Sequence, residues 1–258
     1  MKLYLHYVKV HFKCKMQYKV SFILSCIAQV FTFFGFVFMV LCLFNKFSNV
    51  KGFTLYEVLF TFGIIMFGTG MTETFFRGVD EFDKVIINGE FDKILTRPRG
   101  ILFQVIGEQV DFTKLMRAFQ GLLVLVIAIC NLDIHWTYLK ILTLIFMLIA
   151  SVLIFVSIFI IAASYCFITV KGLEIRNILT DGCKEFAEYP IGIFRKPVII
   201  LLTYILPFGF VNYYPLLYVL GKSNNSYLII SPLIVVVYLL LSIALFYRLS
   251  KRYTSAGS

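Results

Sequence analysis

The stretch WTYLKILTLIFMLIASVLIFVSIFII, residues 136–161, decides what kind of protein this is. Its 26 residues include one charged side chain, Lys140, close to the start. About 20 apolar residues in a helix span the hydrocarbon core of a bilayer. The stretch therefore predicts a transmembrane helix.

Five further stretches have the same character: 20–44, 55–76, 115–132, 197–220 and 227–247. The chain of 258 residues is 60% hydrophobic and 15% charged, against about 45–50% and about 25% in soluble proteins. We predict an all-α polytopic membrane protein with six transmembrane helices. They form a single domain, residues 1–258, without a soluble catalytic domain.

The basic residues predict which side of the membrane each loop faces. With the N-terminus inside, 20 of the 24 lysines and arginines fall in inner segments, and the outer ones are Lys46, Lys51, Lys140 and Lys222. Cytoplasmic loops are enriched in these residues, so both termini are predicted to be cytoplasmic. The net charge of +10 then reflects topology and attraction to the lipid bilayer, and no nucleic-acid partner is predicted.

Residues 172–196 leave the path of the fifth span open. An apolar stripe in this stretch is interrupted by charges that include Asp181, Lys184 and Glu188. Each central charge costs about 2.5–3.5 kcal/mol on insertion scales, so we prefer a cytoplasmic or interfacial helix here and a fifth span at 197–220. In the alternative, 172–196 crosses the membrane and 197–220 is a re-entrant hairpin from the outer side, which divides the basic residues 18 to 6.

The N-terminal arm, residues 1–19, has a basic face. At 100° per residue one side of a helix would carry Lys2, His6, Lys9 and Lys13. This pattern predicts an amphipathic helix on the inner membrane surface. The alternative is a solvated basic tail.

No catalytic or metal-binding residues are predicted. The chain has neither an HExxH nor a GxSxG motif, and its six cysteines form no CxxC pair. Gly221-Lys222-Ser223 looks like the end of a phosphate-binding loop, but Leu216 stands where the first glycine belongs. We therefore predict a protein that is not an enzyme and binds no cofactor itself.

Several residues inside the spans are candidates for a translocation path, a subunit contact or helix packing. Glu73 lies near the inner end of the second span, where an intramembrane acid indicates function by default. The nearby glycines permit close helix approach. The candidates are Glu73, Gly68, Gly70, Pro207, Asn212 and Pro215.

The cytoplasmic segment 77–114 is predicted to contain two short helices. Helical spacing of apolar residues indicates the first helix, which ends at Asn88-Gly89. The second covers 90–95, exposes Phe91, Ile94 and Leu95, and ends at Arg97-Pro98. Such a helix suits the groove of a soluble protein partner. The alternative is a connector that packs against the protein's own spans.

The string from Gly89 to Pro98, GEFDKILTRP, resembles the G-x-F-D-x-x-L-x-R-P signature of a branch of bacterial ABC type-2 transporter permeases. Residues 189–194, YPIGIF, and 205–215, ILPFGFVNYYP, are similar to the C-terminal half of that branch. The likeness extends over nearly the whole chain.

The resemblance implies the permease subunit of an exporter in a bacterial cell membrane. It would pair with a second copy or a sister permease and bind a cytoplasmic ABC ATPase, which would hold ATP and Mg. Phe91 and Leu95 would anchor a coupling helix in the ATPase groove. The other coupling residues would be the carboxylates Glu90 and Asp92, the apolar Ile94, and Arg97 and Pro98 at the end of the helix.

Two other functions compete with this hypothesis. A self-sufficient secondary transporter or channel predicts internal repeats and paired charges at mid-membrane, and we find no convincing repeat. A membrane acyltransferase would need His135 as its base, with Asp133 as the nearest carboxylate.

Overall fold

The computed structural model describes residues 2–47, 49–169, 177–223 and 225–253. The described chain is almost entirely helical, and its one extended pairing is a bridge between Val50 and Phe53 in a turn. The helices are α1 (Lys2–Gln17), α2 (Lys19–Lys46), α3 (Leu55–Phe75), α4 (Arg77–Asp80), α5 (Phe82–Ile87), α6 (Phe91–Thr96), α7 (Ile101–Glu108), α8 (Leu115–Cys130), α9 (Tyr138–Tyr165), α10 (Cys183–Ala187), α11 (Lys196–Ile200), α12 (Tyr214–Val219) and α13 (Ile234–Ser250).

Five helical stretches are long and apolar enough to cross a membrane. They are Lys19–Lys46, Leu55–Phe75, Phe112–Cys130, Tyr138–Tyr165 and Tyr227–Ser250. They correspond to the first four spans and the last span expected from the sequence. The fold is therefore the all-α polytopic membrane architecture that the composition predicts.

Helix α3 is the centre of the bundle because it packs on α8 and α9 through small residues. Gly70 faces α8 so closely that a Cβ atom there would lie 2.4 Å from the backbone nitrogen of Ala118. Gly68 faces α9, and a Cβ atom there would lie 2.6 Å from the Ser151 hydroxyl. Both glycines thus lie in helix-packing contacts, which is one of the roles expected for them.

Both described chain ends lie at one end of the bundle, which we call the inner end. The Tyr4 hydroxyl in α1 donates a hydrogen bond of 2.9 Å to the Phe75 carbonyl at the end of α3. Near the C-terminus, Tyr253 packs edge-on against Phe91 of α6, with ring centroids 4.8 Å apart. From the enrichment of basic residues in its segments, this is the end that we predict to face the cytoplasm.

The N-terminal arm forms the predicted helix, α1, and it packs on the segment that follows α6. His11 and the Gly107 carbonyl oxygen are 3.2 Å apart, and Lys15 forms an ion pair of 3.4 Å with Asp111. Lys9 and Lys13 are exposed. One side of the arm is therefore held by protein contacts while the other carries exposed basic charge.

Residues 177–194 cross the bundle from its inner to its outer end. Asn177 lines a cavity together with Glu73 and Arg77 at the inner end. At the opposite end, Lys51 Nζ in the outer turn donates a hydrogen bond of 3.4 Å to the Phe194 carbonyl. Our preferred prediction of a cytoplasmic or interfacial helix over 172–196 is therefore wrong for its described part; residues 172–176 lie outside the described residues.

The following segment is a re-entrant hairpin and not the fifth span that we preferred. Its arms, Lys196–Ile205 and Gly209–Val219, are bent by 92° around the break that contains Pro207. Beyond the second arm, Lys222 Nζ lies 2.7 Å from Glu57 Oε1 at the outer start of α3. Since both ends of the segment lie at the outer end, 177–194 is the fifth crossing and the hairpin enters from outside.

The charges of the fifth crossing explain why hydropathy alone misplaced it. Lys184 and Glu188 are one helical turn apart, and they form an ion pair of 3.9 Å. A pair that faces a polar cavity costs less to insert than two isolated charges. The new topology places Arg195 and Lys196 at the outer end, and the outer basic residues rise from four to six of 24.

Candidate functional site

The inner end carries a protruding segment, which we call the inner tip and define as residues 87–99. It begins at Ile87, the last residue of α5, turns at Asn88-Gly89 and contains α6. Gly89 has a φ of +68°, a backbone conformation that favours glycine. The predicted break at Asn88-Gly89 and the short helix after it are therefore present, but the single helix predicted before the break is divided into α4 and α5, and α7 follows in the same segment.

Phe91 does not face outward from the inner tip. Its side chain is 0% exposed, and its ring packs against Phe82 of α5 and Phe167 just beyond α9. Ile94 is buried beside it. The expectation that Phe91 reaches into a partner's groove is wrong for this conformation, because the protein's own spans cover that face of α6.

Two apolar side chains of the inner tip do face outward. Ile87 is 54% exposed and Leu95 is 46% exposed. Arg97 and Pro98 are exposed, and the carboxylate residues Glu90 and Asp92 are partly exposed. The tip thus has one face fixed to the bundle and another that combines apolar and charged groups.

Gln104 in α7 fixes the end of the inner tip, although it was not among the residues predicted from the sequence. The side-chain amide donates hydrogen bonds to the Ile94 carbonyl at 3.2 Å and the Arg99 carbonyl at 3.0 Å. A glutamine within the apolar sequence ILFQVIGE was the available signal, because a buried polar group requires partners. These two bonds set the direction of the chain after α6.

A charged cluster holds the base of the tip. Arg77 forms ion pairs with Asp80 and Glu81, and Lys84 binds Glu81 as well. Burial by itself would raise the pKa of Glu81, but the Lys84 hydrogen bond and the Arg77 charge outweigh it and lower the pKa. The carboxylate therefore stays ionised and keeps α4 and α5 together.

Glu73 lies at the inner third of α3 and binds two basic residues. Arg117 of α8 donates a hydrogen bond to its carboxylate, and Lys114 is 3.6 Å away. Arg117 also donates to the side chain of Gln29 in α2, at 3.4 Å. These contacts explain how the third span tolerates an arginine, and they connect α2, α3 and α8.

Two cavities adjoin this ion pair, and Arg117 and Lys184 line both. The charged cavity, about 200 Å³, faces the inner end and includes Glu73 and Lys114 in its lining. The aromatic cavity, about 380 Å³, lies between α2, α3 and the fifth crossing, with Phe36 in its lining. One cavity is thus lined mainly by charged side chains and the other mainly by aromatic and apolar ones.

The remaining predicted candidates lie in the hairpin and shape it. Pro207 lies in the break between its arms, and Pro215 is in the first turn of α12. The buried Asn212 donates a hydrogen bond of 3.1 Å to the Ala187 carbonyl of the fifth crossing. These three residues contribute to the hairpin and its attachment, and none of them lines either cavity.

A sequence profile described as ABC-2 family transporter protein matches residues 16–257. The chain belongs to the ABC-2 transporter family. This match covers nearly all of the sequence, and it confirms the resemblance found in the GEFDKILTRP string and in the C-terminal half. No curated protein and no solved structure matches the chain.

Membership of the ABC-2 family makes this chain a multi-pass membrane protein and a permease component of an ABC transport system. Such a system includes an ATP-binding partner, so ATP hydrolysis is not expected of the permease component. The described residues contain no group of three or more His, Cys, Asp or Glu side chains suited to a metal ion.

Proposed function

We propose that this ABC-2 permease is half of the translocation pathway of an ATP-driven exporter in a bacterial cell membrane. The other half is a second copy of the chain or a sister permease. Each permease binds a separate cytoplasmic ABC ATPase, which holds ATP and Mg. Closure of the ATPases moves the inner tips, and the permeases alternate their access.

The observation that carries this proposal is the two-sided inner tip. Its exposed apolar side chains, Ile87 and Leu95, would contact the floor of the ATPase groove. Glu90, Asp92 and Arg97 would pair with charges at the rim of that groove. In this arrangement Leu95 is still an anchor in the ATPase groove, as the family resemblance implies. The second anchor is Ile87 and not Phe91.

The buried side of the tip is suited to transmit movement. Phe91 contacts Phe167 beyond α9 and Tyr253 beyond α13, and Phe82 contacts Phe246 within α13. Aromatic packing of this kind is close-packed and resists deformation. A force on the exposed face would therefore displace α9 and α13 together with the tip.

The proposed path for substrate runs from the charged cavity into the aromatic cavity. Both adjoin the fifth crossing, which directly precedes the outer hairpin. Movement of this crossing would change the cavities and the hairpin attachment at the same time, since Asn212 of the hairpin bonds to Ala187 of the crossing.

The test is the double variant Ile87→Asp/Leu95→Asp, purified by a tag from membranes that contain the partner ATPase. Charges introduced on an apolar contact surface disfavour binding. We therefore expect the MgATPase activity of the purified sample, divided by its amount of permease, to fall at least about tenfold. The matched control is Leu139→Asp at the outer end of α9, where the leucine is 48% exposed, and it should retain the ATPase.

Unchanged ATPase recovery in the double variant, with normal membrane insertion and elution volume, would contradict docking at the inner tip. If the wild-type chain recovers no ATPase and transports solute alone, the proposal of an ATP-driven exporter fails as a whole.

A further inference from the structure

The N-terminal helix α1 lies across the inner ends of several spans. Near its start, the Tyr4 hydroxyl bonds to the Phe75 carbonyl at the end of α3. Near its other end, Phe12 packs edge-on against Phe112, the first residue of the third span, with ring centroids 5.2 Å apart. Helix α2, the first span, begins two residues after α1 ends. Helix α1 therefore follows the inner end of the bundle and does not project from it.

One side of α1, which we call the basic face, carries the exposed Lys9 and Lys13. On another side, Tyr7 and His11 pack on Gly107 of α7. Each of the two lysines follows one of these contact residues by two positions, which is about 160° around a helix. The basic face therefore points away from α7.

Charge in this part of the chain has one sign. Residues 1–19 contain five lysines, and the first acidic residue of the chain is Glu57, at the outer start of α3. The neighbouring acids belong to the α7 side: Asp111 is bound by Lys15 at 3.4 Å, and Glu108 directly follows Gly107. Groups of about four to eight basic residues just inside a transmembrane helix attract anionic lipid headgroups. The basic face thus suits an anionic surface.

Exposed apolar side chains indicate that this surface is a lipid bilayer. Leu5 and Val10 are exposed on α1, next to the lysines. Val20 and Leu24 are exposed at the start of α2, so the apolar surface continues directly into the first span. A helix with a basic face and exposed apolar flanks binds at the boundary between headgroups and acyl chains. A soluble partner or a nucleic acid would not require that continuity.

Helix α1 also supports the helix that fixes the inner tip. A Cβ atom on Gly107 would lie 2.8 Å from the Tyr7 ring, so α1 and α7 are in close contact. Gln104, one turn earlier in α7, donates the hydrogen bonds to the Ile94 and Arg99 carbonyls of the tip. A displacement of α1 would therefore reach the tip through α7.

We propose that anionic lipids of the inner leaflet bind the basic face of α1 and thereby hold α7 and the inner tip in place. The arm would make docking at the tip depend on the charge of the surrounding lipid. This regulatory consequence rests on the proposed docking function, whereas the lipid contact and its effect on the tip do not.

The test is amide hydrogen exchange, followed by mass spectrometry, of the full-length chain in lipid nanodiscs. One set of nanodiscs contains phosphatidylcholine only, and the other contains phosphatidylglycerol as about one-third of its lipid. In the anionic set, we expect exchange in α1 and in the inner tip to be at least about fivefold slower. Salt at about 0.5 M should remove most of this difference, because it screens attraction between exposed charges.

The variant Lys9→Gln/Lys13→Gln should lose most of the slowing in both segments. The matched control is Lys251→Gln/Arg252→Gln, which removes two exposed cations just after α13 and should keep the slowing. Tyr7→Ala removes the ring that packs on Gly107. It should leave the slowing in α1 and reduce the slowing in the tip, which separates lipid binding from its transmission.

Equal exchange in the two sets of nanodiscs, or equal slowing in the wild type and in Lys9→Gln/Lys13→Gln, would contradict lipid binding at the basic face. Slowing of α1 with no change in the tip would contradict transmission through α7. None of these measurements contains the ATPase. The lipid effect can therefore fail while the docking experiment succeeds, and docking can fail while the lipid effect remains.

Discussion

The inner and outer ends of this permease are held together in different ways. At the inner end, a cluster of aromatic rings joins the tip to α9 and α13, with Phe91 at its centre. At the outer end, Lys222 binds Glu57, the Gly52 carbonyl and the Phe53 ring, and Lys51 donates a hydrogen bond to the Phe194 carbonyl. The inner end is thus joined by packed aromatic rings that would move as one body, whereas the outer end also relies on polar contacts of two lysine side chains.

The largest expected effect of a single change is at the inner end. Phe91→Ala should lower the free energy of unfolding by about 3–5 kcal/mol, because a large buried ring is lost and a cavity remains. Thermal unfolding in detergent measures the change. Leu95→Ala, on the exposed side of the same helix, should stay within about 0.5 kcal/mol. Equal losses for both variants would contradict the two-sided tip.

Helix α3 connects the outer end to the inner end, and a substitution of Gly70 tests its close packing on α8. Gly70→Ala should destabilise the bundle by about 1–3 kcal/mol, since the new methyl group forces α3 and α8 apart. Gly35→Ala in α2 is the matched control, because a Cβ atom there meets nothing within 4 Å. That variant should be neutral or slightly stabilising in the same unfolding assay.

Much of the fold could be predicted from the sequence, because long apolar helices carry their own signal. The inner tip and its break at Asn88-Gly89 were also predictable from spacing and turn residues. The side of α6 that faces outward was not, since periodicity shows an apolar face but not what covers Phe91. Pairings distant in sequence, such as Glu73 with Arg117, require the tertiary structure.

The fifth crossing shows the same limit of local sequence patterns. Hydropathy counts Lys184 and Glu188 as two separate penalties, whereas the fold pairs them beside a cavity. Likewise, Lys222 belongs to a sequence that looks like part of a phosphate-binding loop, yet its partner is Glu57, 165 positions earlier.

At the outer end, Lys222→Met tests the attachment that Lys222 makes to Glu57. It leaves the Glu57 carboxylate without its cation, and we expect a loss of about 1–2 kcal/mol because the pair is partly open to solvent. Adding Glu57→Gln should restore part of the loss, which a double-mutant cycle measures. Additive losses would show that the two side chains do not stabilise each other.

The smallest effect concerns the surface contact of the N-terminal arm with Asp111. Burial would raise the pKa of Asp111, but hydrogen bonding from Thr113 and the Lys15 charge lower it overall. A lowered pKa in the folded state contributes stability above the ordinary carboxyl pKa of about 3.9, and this contribution is lost as the pH falls through the folded value.

Asp111→Asn should therefore destabilise the protein at pH 6 by no more than about 1 kcal/mol, and the difference should be smaller at pH 3, below the ordinary carboxyl pKa of about 3.9. Unfolding measured at both pH values checks this. A larger difference at pH 3 than at pH 6 would contradict the sign of the pKa shift.

The comparison of the two ends requires that their residues lie on opposite sides of the membrane. Thiol labelling measures the side on which each residue lies most directly. Single cysteines at Arg195, Ser223 and Lys93 are introduced on a background without the native cysteines and treated with a membrane-impermeant reagent on intact cells. A crossing at 177–194 with an outer hairpin predicts that Arg195→Cys and Ser223→Cys react from outside, while Lys93→Cys reacts only after permeabilisation. Protection of Arg195→Cys until the cells are permeabilised would contradict this topology.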